Sequence, residues 1–219
     1  MVMSSSNQRS LPEPANPVGE TKIYFYDIPD SKQSVLTMNY PSLKATDENY
    51  LLAKAINFSL GGIYTSKLNS KLRIEKGYTY GIRSAFNGTN DEGSFQIQTS
   101  VRTNVTKEAI ELIRDIVTSY GTKFTPSELE IMKNALIRGK ALENETFTNK
   151  LQLLNNISLY NYDDNYQSEN TKLIRKYDSR TFYNGINSKT KIPKRNVTLF
   201  FNYISITRFF VVYLSLFRS

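Results

Sequence analysis

The chain has 219 residues, 39% hydrophobic and 22% charged, which fits one globular domain with its own core and excludes a chain disordered throughout. It contains neither cysteine nor histidine. That excludes disulfides, thiolate metal sites and a cysteine nucleophile, and removes the commonest transition-metal ligand and the commonest general base at neutral pH.

The net charge of +8 suggests nucleic acid until its distribution is read. Residues 1–170 hold 18 basic and 19 acidic side chains, whereas residues 171–219 hold 10 basic ones and a single acid, Asp178. The body is neutral, so no nucleic-acid partner is expected; a basic tail alone would give salt-sensitive binding that disappears on removing it. The first ten residues are polar and lack an apolar run of signal-peptide length, so no secretion signal is expected and the compartment is left open.

Three stretches follow from composition. Residues 1–19 read as a Pro/Ser linker, with Ser4, Ser5 and Ser6 followed by Pro12, Pro14 and Pro17, and such an opening hints at a further N-terminal part. Residues 20–168 carry the periodic patterns of a domain. Residues 169–219 form an atypical tail, basic and then apolar.

Within the domain, residues 21–26 and 34–40 read as two strands separated by a turn at Asp27-Ile28-Pro29-Asp30, the second closed by Pro41, and the two are expected to pair as a hairpin. Thr46 or Asp47 would cap a helix whose apolar or small face is Leu52, Ala55, Ile56, Ser59 and Leu60, ended by Gly61-Gly62 acting as a C-cap. A second helix is predicted over residues 64–76, with Tyr64, Leu68 and Leu72 on one stripe and Gly77 as its terminator.

Residues 78–85 form the next strand. Asn87-Gly88 and Asp91-Glu92-Gly93 form a loop, and Phe95, Ile97, Thr99 and Val101 then alternate with polar residues, completing an antiparallel hairpin. A helix from Asn104 or Thr106 buries Ile110, Ile113, Val117 and Tyr120 and stops at Gly121. Thr125, Pro126 and Glu128 spell a capping box that starts a helix burying Leu129, Met132 and Leu136. Helical pattern continues, with a break near Asn144, through Phe147, Leu151, Leu154 and Ile157. The fold class is therefore α+β: two layers, a mostly antiparallel sheet with helices packed on one face.

The tail departs from this pattern. Residues 197–201 read as a final strand, while Arg208 and Asn202 make residues 196–219 a poor membrane span, so none is expected. The abrupt charge shift points to a shifted reading frame or a truncated gene; a basic C-terminal extension is the plainer alternative.

The most specific stretch is residues 60–81: the glycine pair Gly61-Gly62, then a helix ending in Leu72-Arg73 with Gly77 four residues on, then a strand whose third residue is Tyr80. This resembles the second-half signature of the insulinase-like (pitrilysin, M16) zinc metallopeptidases, most closely bacterial members, and the element order from residue 22 to about residue 167 follows that family's domain. The resemblance implies a peptidase of two homologous halves closing on a peptide. The first half would carry zinc in an inverted His-x-x-Glu-His motif with a downstream Glu. The second half, like this chain, would hold no metal and no catalytic residue. It would contribute Arg73 and Tyr80 to substrate binding, with Gly61, Gly62 and Gly77 as structural glycines. The implied partners are a peptide substrate and a zinc-bearing half or subunit.

The residues are consistent with that role without requiring it. A guanidinium offers fixed donors to backbone carbonyls, and a phenol can donate to an oxyanion. An arginine in a last helical turn also suits the helix dipole, and a strand tyrosine also packs. No P-loop or dinucleotide pattern follows the glycine pair. The acid pairs Asp47/Glu48, Asp91/Glu92 and Asp163/Asp164 sit at helix starts or loops and read as solvated, as does the basic face of Lys67, Lys71, Arg73 and Lys76. The expected function is the substrate-holding half of an M16-type metalloendopeptidase, inactive alone. The alternative is a non-catalytic structural or peptide-binding subunit.

Overall fold

The sheet has three antiparallel strands in the order β1-β3-β2: β1 (Gln33–Ser42), β2 (Thr79–Gly88) and β3 (Gly93–Arg102). The computed structural model describes residues 23–121, 124–143 and 145–187. The linker at 1–19 and the tail beyond residue 187, including the strand expected at 197–201, lie outside the described residues.

Period-two patterning decides which face of the sheet is covered. Leu36 and Met38 of β1, Ile82 and Ser84 of β2, and Phe95, Ile97, Thr99 and Val101 of β3 are buried on one face. Gln98, Ser100 and Arg102 of β3 and Arg83, Ala85 and Asn87 of β2 are exposed on the other. The register aligns these rows, with Leu36 and Ile82 both opposite Thr99, and Met38 and Ser84 both opposite Ile97. Helices pack against the buried face, and the described residues form a two-layer α+β arrangement.

The hairpin predicted between residues 21–26 and 34–40 does not form. Ile23, Phe25 and Tyr26 are exposed and lie in no strand, and β1 pairs with β3 instead. The turn itself is present, with Asp30 at φ 65° and the Ser31 N–H donating to the Ile28 carbonyl at 3.3 Å. β1 is tied at its start to the end of β3, where Thr103 N–H donates to the Lys32 carbonyl and Thr103 Oγ1 to the Ser31 carbonyl. Local β propensity marks a strand but does not choose its partner; burial of the alternating apolar row does. β1 also runs through Pro41, which an edge strand tolerates because one side of its backbone needs no ladder donor.

The helices are α1 (Tyr50–Asn57), continuing in a wider π-type turn through Phe58–Gly62; α2 (Lys67–Asn69), continuing likewise through Ser70–Glu75; α3 (Thr106–Ser119); α4 (Pro126–Glu143); α5 (Phe147–Tyr160); α6 (Tyr166–Lys176); and α7 (Ser179–Asn187). Leu52, Ala55, Ile56 and Leu60 of the first unit and Leu68 and Leu72 of the second are buried as expected. The capping box of α4 is made in both directions: Glu128 N–H donates to Thr125 Oγ1 at 3.3 Å and Thr125 N–H to Glu128 Oε2 at 2.7 Å.

Three helical expectations change. The second helix starts at Lys67, after a turn closed by Ser66 N–H and the Ile63 carbonyl, so Tyr64 is exposed and not on the Leu68–Leu72 stripe. Gly61 and Gly62 do not adopt a left-handed cap. Instead a Cβ on Gly61 would lie 2.2 Å from Ser84 Oγ and 2.8 Å from Leu68 Cδ1, so glycine is needed for close approach to β2. Along α5, Phe147, Leu151 and Leu154 are exposed, because among the described residues no further layer covers that face. The helical spacing was present there without the burial it ordinarily signals.

Residues 169–187 extend the body rather than trailing from it. The boundary drawn at residue 168 by charge falls inside α6. Ile174 and Phe182 are fully buried, with Phe182 stacked on Phe124 at 5.3 Å between ring centres. Gly185 lets α7 lie against Leu52 and Ile56 of α1. No helix among the described residues is long and apolar enough to cross a membrane.

Candidate functional site

Arg73 stands in the π-type turn that ends the α2 unit, and Gly77 at φ +62° turns the chain into β2. The left-handed conformation is what glycine supplies here, since a Cβ would meet nothing within 4 Å. Gly77 N–H donates to the Arg73 carbonyl at 3.2 Å and Tyr78 N–H to the Leu72 carbonyl at 2.8 Å, closing the helix end.

Tyr80 follows on a β-bulge. Thr79 lies opposite Val101 but Ile82 lies opposite Thr99, so β2 carries one extra residue there. Thr99 Oγ1 reaches Thr79 Oγ1 at 2.9 Å and the Gly81 carbonyl at 3.0 Å, and Gly81 N–H donates to Thr79 Oγ1 at 3.0 Å. These bonds fix the irregular backbone and leave the Tyr80 side chain 88% exposed.

The two elements are joined by Asn69, which is only 4% exposed. Its Nδ2 donates to the Ile82 carbonyl at 2.8 Å and its Oδ1 accepts from Ile82 N–H at 3.1 Å, so the amide occupies the place of a neighbouring strand at the β2 edge. The same Nδ2 lies 3.2 Å from the Ile63 carbonyl and 3.2 Å from Ser66 Oγ. Asn57 repeats the device at Ser84, donating to its carbonyl at 2.8 Å and accepting from its hydroxyl. Further along, the Tyr50 hydroxyl donates to the Phe86 carbonyl and accepts from Gly88 N–H. The edge of β2 is thereby closed by side chains rather than by a strand.

The basic face predicted around Arg73 divides by partner. Lys67 pairs with Glu128 at 2.9 Å and lies 5.1 Å from the Tyr120 ring centre, while Lys71 pairs with Glu75 on its own turn. That pairing with Lys71 holds the Glu75 carboxyl below the usual carboxylate range. Arg73 instead lies over an aromatic face, its Cζ 4.3 Å from the Tyr64 ring centre. Beneath the site Tyr120 is buried, with its hydroxyl donating to the Ile56 carbonyl at 2.9 Å, and burial pushes its pKa far up.

The residues present do not fit a zinc site. The sequence has no histidine or cysteine, and among the described residues no three carboxylates gather to hold a metal ion. Of the acid pairs, Asp47 caps its own turn, with Oδ1 accepting from Asn49 N–H, while Asp91 and Glu92 are exposed in the loop between β2 and β3.

The sequence reading missed Tyr64, Asn69 and the Thr79–Thr99 pair. The four-residue spacing of Tyr64, Leu68 and Leu72 predicts one shared stripe, but Tyr64 precedes the helix that begins at Lys67. The available contrary signal was Ser66, a capping residue type immediately before Lys67.

The family model described as the peptidase M16 inactive domain matches residues 2–136. The chain belongs to that family. The curated relative matched is the non-peptidase homolog YmxG of Helicobacter pylori, 26% identical over 167 residues, covering 74% of this chain and 38% of the relative. Among solved structures, the peptidase M16 inactive domain from Pseudomonas fluorescens superposes with a TM-score of 0.72 at 22% identity, over 81% of this chain and 42% of that one. A chain of complex III2 from Candida albicans gives a TM-score of 0.63 at 12% identity, over 74% of this chain and 41% of that one. At these identities the structural likeness shows the fold alone. This M16 inactive domain thus spans about two fifths of the length of these relatives.

Proposed function

We propose that this M16 inactive domain is the peptide-holding half of a two-part metallopeptidase, with Arg73 and Tyr80 gripping the substrate backbone and hydrolysis carried out by a zinc-bearing half. What supports this most is that the elements carrying the two motif residues are tied together at Asn69. Arg73 closes a helical unit, Tyr80 rides outward on a bulge, and Asn69 fixes one element against the other. A guanidinium presents donors in one plane and an exposed phenol presents one more, the complement of an extended peptide's carbonyls.

Co-expression with a zinc-bearing half from the same genome is expected to give peptide cleavage. Arg73→Ala or Tyr80→Phe should then lower kcat/KM by more than tenfold, about 1.4 kcal/mol of transition-state binding. Unchanged rates in both variants would remove the assigned roles.

A second reading is a non-catalytic structural or peptide-binding subunit. The matched Helicobacter relative is named a non-peptidase homolog, and the same fold occurs in a chain of complex III2. On that reading the domain forms a stable complex with its partner, yet neither variant alters any peptide turnover.

A further inference from the structure

An arginine can grip a peptide well only if its guanidinium is already held in place, because ordering a long side chain on binding costs affinity. The backbone around Arg73 fixes its Cα but not the end of its side chain. The neighbouring cations are held by carboxylates, Lys67 by Glu128 and Lys71 by Glu75. Arg73 is held differently, with its Cζ 4.3 Å above the centre of the Tyr64 ring.

The difference matters chemically. A carboxylate takes two of the five guanidinium N–H donors in a bidentate pair. An aromatic face attracts the cation through its quadrupole and takes none of the in-plane donors. A ring is therefore a suitable support for an arginine whose donors have a second task.

The support is itself anchored. Tyr64 sits in the turn that Ser66 N–H closes on the Ile63 carbonyl at 3.1 Å, and Asn69 Nδ2 donates to that same carbonyl at 3.2 Å. Asn69 also fixes Ile82, two residues beyond Tyr80. Tyr64 is nonetheless 57% exposed, so packing alone does not explain its placement.

We propose that Tyr64 is a positioning residue for peptide binding: its ring holds the Arg73 guanidinium by cation–π contact and leaves the arginine donors for peptide carbonyls. The inference rests on the reading of Arg73 as a peptide-binding residue. Tyr64 itself need not touch the peptide.

Two measurements on the whole chain test it. The first is binding of a fluorescein-labelled unfolded peptide, followed by anisotropy. Arg73→Ala should weaken binding strongly. Tyr64→Ala should weaken it by about two- to fivefold, and Tyr64→Phe, which keeps the ring face, should restore it. Tyr64→Ala should have no further effect in an Arg73→Ala background. The second is the NMR signal of Arg73 Nε–H, whose ring-current shift should vanish in Tyr64→Ala and survive in Tyr64→Phe.

If Arg73→Ala leaves peptide binding unchanged, the peptide-holding reading fails and the inference fails with it. If Arg73→Ala weakens binding while Tyr64→Ala does not, or does so equally without Arg73, the inference fails and the reading of Arg73 stands. An unchanged Arg73 signal in Tyr64→Ala also overturns it.

Discussion

Three residues near the site show how specific the local demands are. Gly61 has no room for a Cβ, with Ser84 Oγ 2.2 Å and Leu68 Cδ1 2.8 Å from where it would stand. Gly61→Ala should therefore destabilise by about 1–3 kcal/mol, read from the urea midpoint, as overpacking does. Gly77 has ample room but the wrong φ for other residues. Gly77→Ala should cost about 1 kcal/mol, and Gly77→Asn less, because asparagine tolerates the left-handed region. Asn69 presents a third demand, that of hydrogen bonding: Asn69→Ala leaves both polar groups of Ile82 without their partner. Each unsatisfied buried group costs about 1–3 kcal/mol, so this substitution should lower the urea midpoint more than either glycine change.

At the scale of elements, caps and edges explain where structure starts and stops. The Thr125–Glu128 box fixes the start of α4, and Glu128 reaches Lys67 of α2 from the same position. Thr125→Ala should cost about 1 kcal/mol by thermal or urea unfolding, most of it from the lost cap. The acid that precedes α7 behaves similarly. Asp178 accepts from Thr181 N–H and from its hydroxyl, both at 2.7 Å, and these bonds hold its carboxyl below the usual aspartate range. A carboxyl with a depressed folded pKa stabilises above its unfolded value and stops doing so as pH falls through the folded one. Helicity of α7 should fray on acidification below the ordinary aspartate range near 3.9, and Asp178→Asn should remove most of that pH dependence in hydrogen exchange.

Across the whole molecule, tyrosines link the layers and give it an alkaline limit. Tyr50, Tyr120, Tyr162 and Tyr177 all have pKa values raised chiefly by burial, Tyr177 to about 12. The hydroxyls of Tyr50, Tyr120 and Tyr162 hold backbone carbonyls distant in the chain, at Phe86, Ile56 and Ala45. A raised folded pKa means the proton is bound more tightly when folded. That stabilisation is complete below the unfolded tyrosine value near 10 and is lost as pH rises towards the folded values. Unfolding should therefore set in above pH 10, with tyrosinate absorbance at 295 nm and loss of helical signal rising together. Independent tyrosinate formation at pH 10 with the helical signal intact would contradict this.

Much of this was legible in the sequence, since it depends on neighbours in the chain. The Thr125–Glu128 box, the hairpin of β2 and β3, the strict alternation of Phe95 to Val101 and the helical stripes of α1 and α3 are local patterns that the residue types signal, although β2 runs on through Asn87-Gly88, read as loop, and Ile110 of the α3 stripe is only partly buried. The motif of residues 60–81 likewise identified the family that the comparisons then showed. What the sequence left undecided were choices between distant partners: β1 takes β3 and not residues 23–26, Phe182 closes the core from beyond the charge shift, and Phe147 and Leu151 remain in solvent despite their spacing. Asn69 is the clearest case. Nothing in its type or position distinguishes it from any helical asparagine until β2 lies alongside with the polar groups of Ile82 facing it. Periodicity, caps and turns arise from interactions a few residues apart, so the sequence by itself determined them. Burial and edge satisfaction depend on which surfaces finally meet, and only the tertiary structure could decide those.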